Sequence, residues 1–326
     1  MNLTRRHAAL LAAALGASFL SPAVAADFPD RPVRLIHPNP GGVIDTMSRV
    51  LADALKSVWS QPVVVEPKPG ASEIIAIEAV TKSKPDGLTW FFGTETGLVN
   101  NSFLFRKLPY DPAGDLVPVS ELFAVNYALI VHGDSPARTL ADLVAIAKKD
   151  PGKLRFSSLG TGSGTHLAME IFQRVTGTQG MTHVPYKAPA QMVQDLLGGQ
   201  IDIVIGALGL ATPFVPSGKM RVLAVTGNER QRALPNVPTF AESGYPGMDY
   251  RTLIGLAVAR GTPADTVQKI HAAVRQVLSK PEMQEKYLDP NGYQLVVSDP
   301  AAFAQTLAAR RQQTKRLFEE LKIEPQ

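Results

Sequence analysis

The sequence predicts an α/β fold made of two blocks of alternating strands and helices. Short apolar runs rich in Val, Ile and Leu alternate with segments in which apolar residues recur at helical spacing. The 326 residues exceed what one small core needs, and neither a repeat nor a low-complexity linker divides them. Hydrophobic residues make up 45% of the chain and charged residues 19%, which excludes a disordered protein.

The first 25 residues have the three-part layout of a secretory signal peptide. A basic start with Arg5 and Arg6 is followed by an apolar run over residues 8–20. The small residues Ala23 and Ala25 then occupy the positions that a signal peptidase recognises. The apolar run is shorter than the roughly 20 residues that a membrane-spanning helix needs. We therefore predict export and cleavage after Ala25, by either the general or the twin-arginine route.

The first block of the mature chain begins with a buried strand over residues 33–37. Pro38 and Pro40 end it, because proline lacks the N–H donor that a strand needs, and the glycines after them favour a turn. Apolar residues then recur at helical spacing over residues 45–58. The same alternation predicts strands over residues 62–66 and 88–92 and a helix over residues 73–82.

The second block repeats the scheme, and a Thr139 cap opens its first helix. The predicted strands cover residues 127–131, 154–157, 181–184, 201–205 and 221–225. The predicted helices cover residues 139–149, the segment from a glycine-rich loop to about residue 175, and residues 188–197, 264–278 and 300–321. Pro235, Pro238 and Pro246 indicate a loop-rich return before the last two helices. This alternation leads us to expect a parallel sheet with helices on both faces.

The chain is expected to cross between the two blocks near residues 124–131 and 223–226. Each of these segments lies in or next to a strand-like run. Extended crossings of this kind can flex slightly and close two lobes over a ligand.

Charge and residue content exclude several kinds of function. Lys and Arg total 33 against 29 Asp and Glu, and no cluster of positive charge indicates a nucleic-acid surface. The absence of cysteine excludes disulfides, thiolate metal sites and cysteine nucleophiles. The histidines of the mature chain are not paired at metal-ligand spacing: they are His37, His132, His166, His183 and His271. We therefore expect no metal, no cofactor and no nucleic-acid partner.

The strongest local feature is a loop of glycines and hydroxyl residues at 157–166, between a predicted strand and a predicted helix. Glycines leave main-chain N–H groups uncovered, and a helix start adds unpaired donors and the positive end of a dipole. Thr161, Ser163 and Thr165 add hydroxyl groups. Such a loop can bind a carboxylate, sulfate or phosphate, although it can equally be an ordinary capped turn. Its glycine spacing fits neither a dinucleotide fingerprint nor a phosphate loop.

Two further loops leave predicted strands at the same edge of the sheet. Residues 38–45 carry main-chain amides at Gly41 and Gly42, and Asp45 either belongs to the site or only caps the next helix. Residues 93–97 follow the strand that ends at Phe92. Because open α/β sheets bind ligands at the carboxyl ends of their strands, the three loops together predict one anion site.

A serine hydrolase is the alternative to simple binding. Ser163 and His166 lie one helical turn apart, but position 161 is Thr, so the glycine–serine–glycine elbow of hydrolases is absent. A triad would also need a histidine from elsewhere and a carboxylate to orient it, and the sequence offers no recognisable set. The sequence therefore favours binding and indicates no catalytic residue.

An ordered series of motifs extends over essentially the whole mature chain. Examples are Pro85-Asp86-Gly87 and Leu108-Pro109-Tyr110-Asp111. The full set covers residues 34–36, 40–42, 45, 61–66, 69–71, 85–87, 107–112, 151–154, 160–167, 183–187, 195–202, 218–226, 234–239 and 261–264. In this order the motifs resemble those of the tripartite tricarboxylate transporter receptors, the Bug family of periplasmic solute-binding proteins.

The resemblance implies a type II periplasmic-binding fold with two α/β lobes, a central cleft and strand hinges. Such a receptor captures a small organic carboxylate, either a di- or tricarboxylate or an aromatic carboxylate, and delivers it to integral-membrane permease subunits. A receptor for a sensor system would bind by the same chemistry. The loops at 38–45 and 158–166 are then expected to hold the carboxylate, partly through water. We expect lobe 1 over residues 26–124 and 226–326, lobe 2 over residues 125–225, and a monomer.

The ligand-binding residues that we predict come from these loops and from nearby strand ends. They are Pro38, Asn39, Gly41, Gly42, Asp45, Thr94, Ser158, Gly160, Thr161, Gly162, Thr165, His166, Tyr186 and Ala207. Two of them have structural alternatives, since His166 can tie the loop to the helix and Tyr186 can be a lobe-packing aromatic.

The chain departs from the family pattern at three places that bear on the ligand. Ser72-Glu73-Ile74 stand where the family usually has Gly-Gly-Asn, and Gly206-Ala207 replace a polar pair. Leu253 stands in place of a family tryptophan. Loss of an acid and an amide removes partners for a ligand amino group. We therefore predict a carboxylate with an apolar or aromatic body in preference to a dicarboxylic amino acid.

Overall fold

Strands and helices alternate along most of the chain, which confirms the predicted α/β class. The computed structural model describes residues 28–41 and 43–325, and the elements named below lie in one unit that begins at Arg31. Gly42 and the predicted signal peptide lie outside the described residues. None of the described helices has the length and apolar character that a bilayer crossing requires.

The first half of the fold holds three parallel strands and the helices between them. Its strands are β1 (Val33–His37), β2 (Val63–Pro67) and β3 (Thr89–Thr94). Its helices are α1 (Val43–Leu55) and α2 (Ile74–Thr81), followed by a π-helical turn (Thr96–Asn100) and the short α3 (Asn101–Leu104). These bounds agree with the predicted elements to within a few residues, apart from the segment after β3, for which the sequence predicted no helix.

The second half and the return complete the chain. The strands are β4 (Leu116–His132), β5 (Arg155–Ser158), β6 (Thr182–Pro185), β7 (Ile203–Ala207), β8 (Met220–Val225), β9 (Arg251–Ala259) and β10 (Tyr293–Leu295). The helices are α4 (Leu140–Lys149), α5 (Gly164–Thr176), α6 (Pro189–Leu197), α7 (Ala264–Leu278), α8 (Pro281–Met283), a π-helical turn (Gln284–Leu288) and α9 (Pro300–Leu321).

Helix caps explain why several bounds could be predicted. Thr139 begins α4 as expected, because its hydroxyl accepts from the Asp142 N–H while the Asp142 side chain accepts from the Thr139 N–H. Asp299 caps α9 by accepting from the Ala302 N–H at 2.8 Å, and Pro300 occupies the first helical position.

The strands form a mixed sheet, so the expectation of a parallel sheet was wrong. The strand order is β2-β1-β3-β9-β4-β7-β5-β6, and β8 and β10 also pair with β4. β1 is parallel to β2 and β3, and β5 is parallel to β6 and β7. β9 and β4 are antiparallel to every strand with which they pair. Alternation with helices therefore predicts parallel pairs correctly within each group. The sheet as a whole is mixed, because the antiparallel strands β4 and β9 lie between the two groups.

β4 is much longer than the predicted strand over residues 127–131. Its first part extends back to Leu116 and pairs with β9 through register shifts near Pro118 and Glu121. The sequence did not indicate this part of the strand, because a proline and polar residues interrupt its apolar pattern. In the structure, β-bulges accommodate these residues. β9 and β10 were also missed, since the proline-rich return before β9 favoured a loop.

Each half of the sheet has its own apolar core. One core contains Phe91, Leu253 and Phe303 beside α2, and the other contains Ile130, Val204 and Leu196 beside α6. β4 belongs to both, because residues up to Asn126 pair with β9 and residues from Tyr127 pair with β7. The architecture is therefore a two-lobed α/β fold whose halves share one strand.

Candidate functional site

The carboxyl ends of the two parallel groups converge on the middle of β4. At the end of β3, Thr94 pairs with Ile254 of β9, which in turn pairs with Phe123 of β4. At the end of β7, Ala207 pairs with Tyr127 of the same strand. Phe123 and Tyr127 are about 13 Å apart along an extended strand. The predicted loops of both halves therefore approach the same region.

The loop after β1 is a tight turn that leads into α1. Pro38 is buried, Asn39 is half-buried, and Gly41 is exposed with a φ of +70° that favours glycine. The Gly41 N–H donates to Asp45 Oδ2 at 3.2 Å. Gly42 lies outside the described residues. The Gly41 N–H, which was predicted to bind ligand, is therefore hydrogen-bonded to Asp45 in the first turn of α1.

Asp45 ties this loop to its surroundings. Its Oδ1 accepts from Arg49 Nε at 2.9 Å and lies 3.2 Å from His37 Nε2. His37 is fully buried, and burial lowers the pKa of its imidazole despite the nearby Asp45 carboxylate. These contacts favour the alternative in which Asp45 organises the loop and the helix start.

The loop after β3 holds a carboxylate of the chain itself. The Thr94 hydroxyl donates to Glu73 Oε1 at 2.6 Å, and the N–H groups of Thr94 and Gly97 each donate to Glu73 Oε2 at 3.2 Å. We call the donor set of Thr94 and Gly97 the β3 cradle. Burial raises the pKa of Glu73 to about 7, and the three donors oppose that rise. The predicted ligand residue Thr94 is thus engaged by Glu73.

A second buried carboxylate lies beside the cradle. Glu95 is 2% exposed and accepts a hydrogen bond from the Tyr250 hydroxyl, while Arg310 Nε lies 4.0 Å from its Oε2. Burial raises the pKa of Glu95, and the positive charge of Arg310 counteracts the effect. Tyr250 stacks on Tyr127 with the ring centroids 6.2 Å apart, which places this acid near the crossing strand.

The glycine-rich turn after β5 is closed by side chains. The Ser158 hydroxyl lies 2.6 Å from His183 Nε2 and accepts from the Gly160 N–H at 3.0 Å. Ser158 is fully buried, and Gly160 has a φ of +106° that requires glycine. Ser158 and Gly160 therefore shape the turn in the described chain, and the ring of His183 supports it from β6.

The start of α5 is capped from within the same turn. Ser163 Oγ accepts from the His166 N–H at 3.3 Å, and Thr165 Oγ1 accepts from the Leu159 N–H at 2.9 Å. His166 Nδ1 accepts from the Gly162 N–H at 3.3 Å. Burial, and to a smaller extent His183, lower the pKa of His166 to about 4, so the ring is neutral and its proton is on Nε2.

These bonds leave a small set of donors at the turn. Within the described chain, no acceptor takes the main-chain N–H groups of Gly164 and Thr165, the first residues of α5. The Thr161 side chain is exposed and makes no hydrogen bond with described residues. The arrangement can therefore bind an anion through the helix start and the Thr161 hydroxyl.

Residues of the other half contact this turn directly. Asn100 Nδ2 donates to the Gly162 carbonyl at 3.2 Å, and a methyl group added at Gly162 would lie 2.8 Å from the Leu104 side chain. The Tyr127 hydroxyl and Thr252 Oγ1 are 2.6 Å apart. A methyl group at Gly164 would lie 2.5 Å and 2.1 Å from these two oxygens. The start of α5 thus meets β4, β9 and α3.

Two predicted residues have other roles in the described structure. The Tyr186 hydroxyl donates to Asp195 Oδ2 at 2.7 Å, and its ring packs into the core of the second half. This favours the packing alternative for Tyr186. Ala207 ends β7 opposite Tyr127, where the two halves meet.

Sequence reasoning missed several residues of this region. Glu73 was recognised only as a departure from the family pattern and His183 only as part of a family motif, while Asn100 and Thr252 gave no signal. The contacts described above join residues between 21 and 125 positions apart, as for Glu73 with Thr94 and Thr252 with Tyr127. Only the folded chain brings such pairs together.

No group of three or more potential metal-ligating side chains occurs among the described residues. A cavity of about 290 Å³ is lined by polar residues that include Asn126, Arg251 and Tyr293. It shares no residue with the predicted site, and its guanidinium groups are paired with Asp and Glu side chains, as in Arg232 with Asp289.

Comparison with known sequences identifies similar proteins over nearly the whole chain. The family described as "Tripartite tricarboxylate transporter family receptor" matches residues 47–323. The "UPF0065 protein in gbd 5'region" of Cupriavidus necator is 35% identical over 291 residues, covering 87% of this chain and 86% of that protein. "Protein BugT" of Bordetella pertussis is 32% identical over 289 residues, covering 88% of each.

Solved structures give the same result. "R. palustris Rpa4515 with adipate" superimposes with a TM-score of 0.86 at 31% identity, covering 92% of this chain and 100% of that one. "Structure of periplasmic binding protein BugD" gives 0.83 at 28% identity, with 92% and 100% covered. "MatC (Rpa3494) from Rhodopseudomonas palustris with bound malate" gives 0.80 at 26% identity, with 89% and 99% covered.

Proposed function

The chain belongs to the tripartite tricarboxylate transporter receptor family, and from this premise we propose that it is a periplasmic receptor for a small organic carboxylate. The family and its structural neighbours are solute-binding proteins and not enzymes. Two of those neighbours were solved with adipate and with malate, which supports a carboxylate as the ligand class here.

The observation that carries the proposal is the convergence of strand ends from both halves on Phe123–Tyr127 of β4. It brings the loop after β3 and the turn before α5 to one region, as a ligand held between two lobes requires. We place the carboxylate at the first N–H groups of α5 and at the Thr161 hydroxyl, with Gly41 and Asn39 facing it from the loop after β1. Water completes the coordination of its oxygens.

In this proposal the other predicted residues act mostly by shaping the site. Asp45 holds the turn after β1, and Ser158 and His166 hold the Gly160 and Gly162 N–H groups in place. A neutral site of this kind can still bind an anion, because aligned main-chain dipoles and hydroxyls provide positive potential.

We also propose that the two lobes comprise residues 26–124 with 226–326, and residues 125–225. The exchange of β4 partners after Asn126 supports this division. Where the chain returns, the Thr226 N–H donates to the Tyr127 carbonyl at 2.8 Å and the Tyr127 N–H donates to Thr226 Oγ1 at 2.7 Å. Paired extended segments of this kind suit a hinge that closes over a ligand.

The protein would reach the periplasm as a monomer after cleavage behind Ala25 and deliver its ligand to the integral-membrane subunits of a tripartite tricarboxylate transporter. The family description supports this partner. The alternative hydrolase gains no support from Ser163 and His166, because Ser163 Oγ accepts from the His166 main-chain N–H and His166 Nδ1 accepts from the Gly162 N–H. Ser158 and His183 give no support either, because Ser158 is fully buried and no described carboxylate is hydrogen-bonded to His183.

Calorimetric titration of the exported protein tests the proposal. The panel contains hexanoate, benzoate, adipate, terephthalate, citrate and glutamate, and thermal unfolding is followed in parallel. A true ligand at 100 times its dissociation constant is expected to add about 2.7 kcal/mol of stability. Failure of every organic acid to bind would reject a carboxylate receptor, and glutamate as the sole tight ligand would reject the apolar or aromatic body.

A further inference from the structure

Glu73 lies in a segment that is conformationally unfavourable for its residues. Ala71, Ser72 and Glu73 have φ values of +46°, +51° and +74°, a region that residues other than glycine rarely adopt. Asn101 Nδ2 fixes the segment by donating to the Ser72 carbonyl at 2.8 Å. Three consecutive left-handed residues persist only where the surroundings stabilise them, and the contacts of the Glu73 carboxylate provide that stabilisation.

The carboxylate of Glu73 fills the β3 cradle completely. Both of its oxygens are hydrogen-bonded, Oε1 by the Thr94 hydroxyl and Oε2 by the N–H groups of Thr94 and Gly97. A methyl group added at Gly97 would lie 2.8 Å from Oε2 and 2.5 Å from Ile77 Cδ1. The side chain is 8% exposed. No room is left in the cradle for a second carboxylate.

Two main-chain N–H groups and a hydroxyl are the donors that would hold a ligand carboxylate. The cradle also lies at the edge where we place the ligand. β1, β2 and β3 are parallel neighbours, so the loops at their carboxyl ends, which contain Gly41, Glu73 and Thr94, share that edge. The donors of the β3 cradle thus lie at the edge of the sheet where we place the ligand, and the chain's own Glu73 carboxylate already accepts from them.

The neighbouring charges also oppose a ligand with a second negative group. Glu95 is buried beside the cradle, and Arg310 lies 4.0 Å from it. A further carboxylate pointing at this edge would lie beside the acidic side chains of Glu73 and Glu95. The guanidinium of Arg310 is already attracted by Glu95.

We propose that Glu73 determines specificity by occupying the β3 cradle, so that the ligand is a monocarboxylate whose remaining part is uncharged. The inference rests on the proposed function and adds that the ligand carries a single charged group. It distinguishes this chain from its neighbour solved with adipate, a dicarboxylate.

Titration of the exported protein with matched acid pairs tests the inference. Hexanoate is compared with adipate and benzoate with terephthalate, because each pair has the same body and differs by one carboxylate. Wild-type protein is expected to bind the monocarboxylate at least about tenfold more tightly than its partner in one of the pairs. Equal or tighter binding of the dicarboxylate in both pairs would overturn the inference and leave the proposed function intact. Binding of no acid in the panel would reject the proposed function, and the inference with it.

Three variants separate occupancy of the cradle from general effects on the fold. Glu73→Gly vacates the donors and suits the left-handed backbone, so the monocarboxylate preference is expected to fall at least about tenfold. Glu73→Gln keeps the cradle filled with a neutral side chain and is expected to retain the preference. Ser72→Gly is the matched control, since it relieves the same segment at an exposed position and should leave the preference within about twofold. Thermal unfolding verifies that Glu73→Gly is folded, and an unchanged preference in the folded variant would overturn the inference. If that variant does not fold, the ratio of the two dissociation constants measured for each acid pair with wild-type protein decides.

Discussion

The side-chain amide of Asn100 donates a hydrogen bond to the main-chain carbonyl of Gly162 at 3.2 Å. Asn100 is fully buried and also accepts from the Thr314 hydroxyl at 3.3 Å. The bond joins the helical segment after β3 to the glycine-rich turn after β5, and so links a loop of one half to the anion-binding candidate of the other.

Asn100→Ala is expected to lower the free energy of unfolding by about 1–3 kcal/mol, because it leaves the Gly162 carbonyl and the Thr314 hydroxyl buried without partners. Loosening of the turn should also raise the dissociation constant of the carboxylate by about threefold to tenfold. Urea unfolding and calorimetric titration measure the two effects. Gln173→Ala is the control, because this buried amide lies near the far end of α5 and accepts from the Met181 N–H. The control should lose stability and keep its affinity, and a loss of affinity in both variants would contradict a specific role for Asn100.

Gly41→Val is expected to abolish most carboxylate binding. A Cβ at Gly41 would have no atom within 4 Å, so the valine side chain would project into the open space where we place the ligand. The φ of +70° should cost about 1–2 kcal/mol of stability for any residue but glycine. Gly218 has a φ of +69°, equally open surroundings and a position before β8, away from the site.

Gly218→Val therefore carries the same backbone cost without the obstruction. Titration should give an affinity at least about tenfold weaker for Gly41→Val and wild-type affinity for Gly218→Val. Equal affinities for the two variants would place Gly41 outside the ligand contacts.

The predictable part of the fold is the part that local signals specify. α7 and α9 begin and end where the sequence places them, because proline and Asp299 define the start of α9 and the amphipathic pattern is long in both helices. The early part of β4 was not predictable, since Pro118 and Glu121 interrupt the apolar pattern and only pairing with β9 makes the segment a strand. Tertiary pairing decided this element against its local sequence.

The same distinction applies to the candidate site. The positions of the turns follow from proline and glycine next to strands, and these turns lie at strand ends as expected. The hydrogen bonds inside them do not follow, because Ser158 needs His183 from β6 and Thr94 needs Glu73 from the loop after β2. A glycine-rich loop therefore indicates where an anion can bind, but not which of its donors the chain itself uses.

Thr161→Ala is expected to weaken carboxylate binding by about 0.5–1.5 kcal/mol, the net value of one hydrogen bond. The side chain is exposed and makes no hydrogen bond within the described chain, so the melting temperature of the unliganded protein should not change. Thr182→Ala is the control for affinity and should keep it, because Thr182 is exposed at the amino end of β6, the opposite end from the site, where its hydroxyl donates to the Gly152 carbonyl at 3.4 Å. Unchanged affinity in Thr161→Ala would exclude its hydroxyl from the site.

The pH dependence of stability should separate Glu73 from His166. Burial raises the pKa of Glu73 to about 7, so its contribution is most favourable below about pH 4.5 and is lost as the pH rises towards about 7. Burial, with His183, lowers the pKa of His166 to about 4, so its contribution is complete above about pH 6.5 and is lost as the pH falls towards about 4. Between these limits the two contributions change with pH in opposite directions, and each changes the free energy of unfolding by roughly 3 kcal/mol in total.

Glu73→Gln and His166→Asn remove one slope each, and Asn retains an acceptor where Nδ1 meets the Gly162 N–H. Relative to wild type, the stability of Glu73→Gln should therefore increase between pH 4.5 and pH 6.5, and that of His166→Asn should decrease. Urea unfolding at half-unit pH intervals measures both differences, and all other titrating groups cancel because the three proteins share them. Parallel curves for wild type and Glu73→Gln would contradict the expected rise, and would mean that the three donors fully offset the effect of burial on the pKa of Glu73.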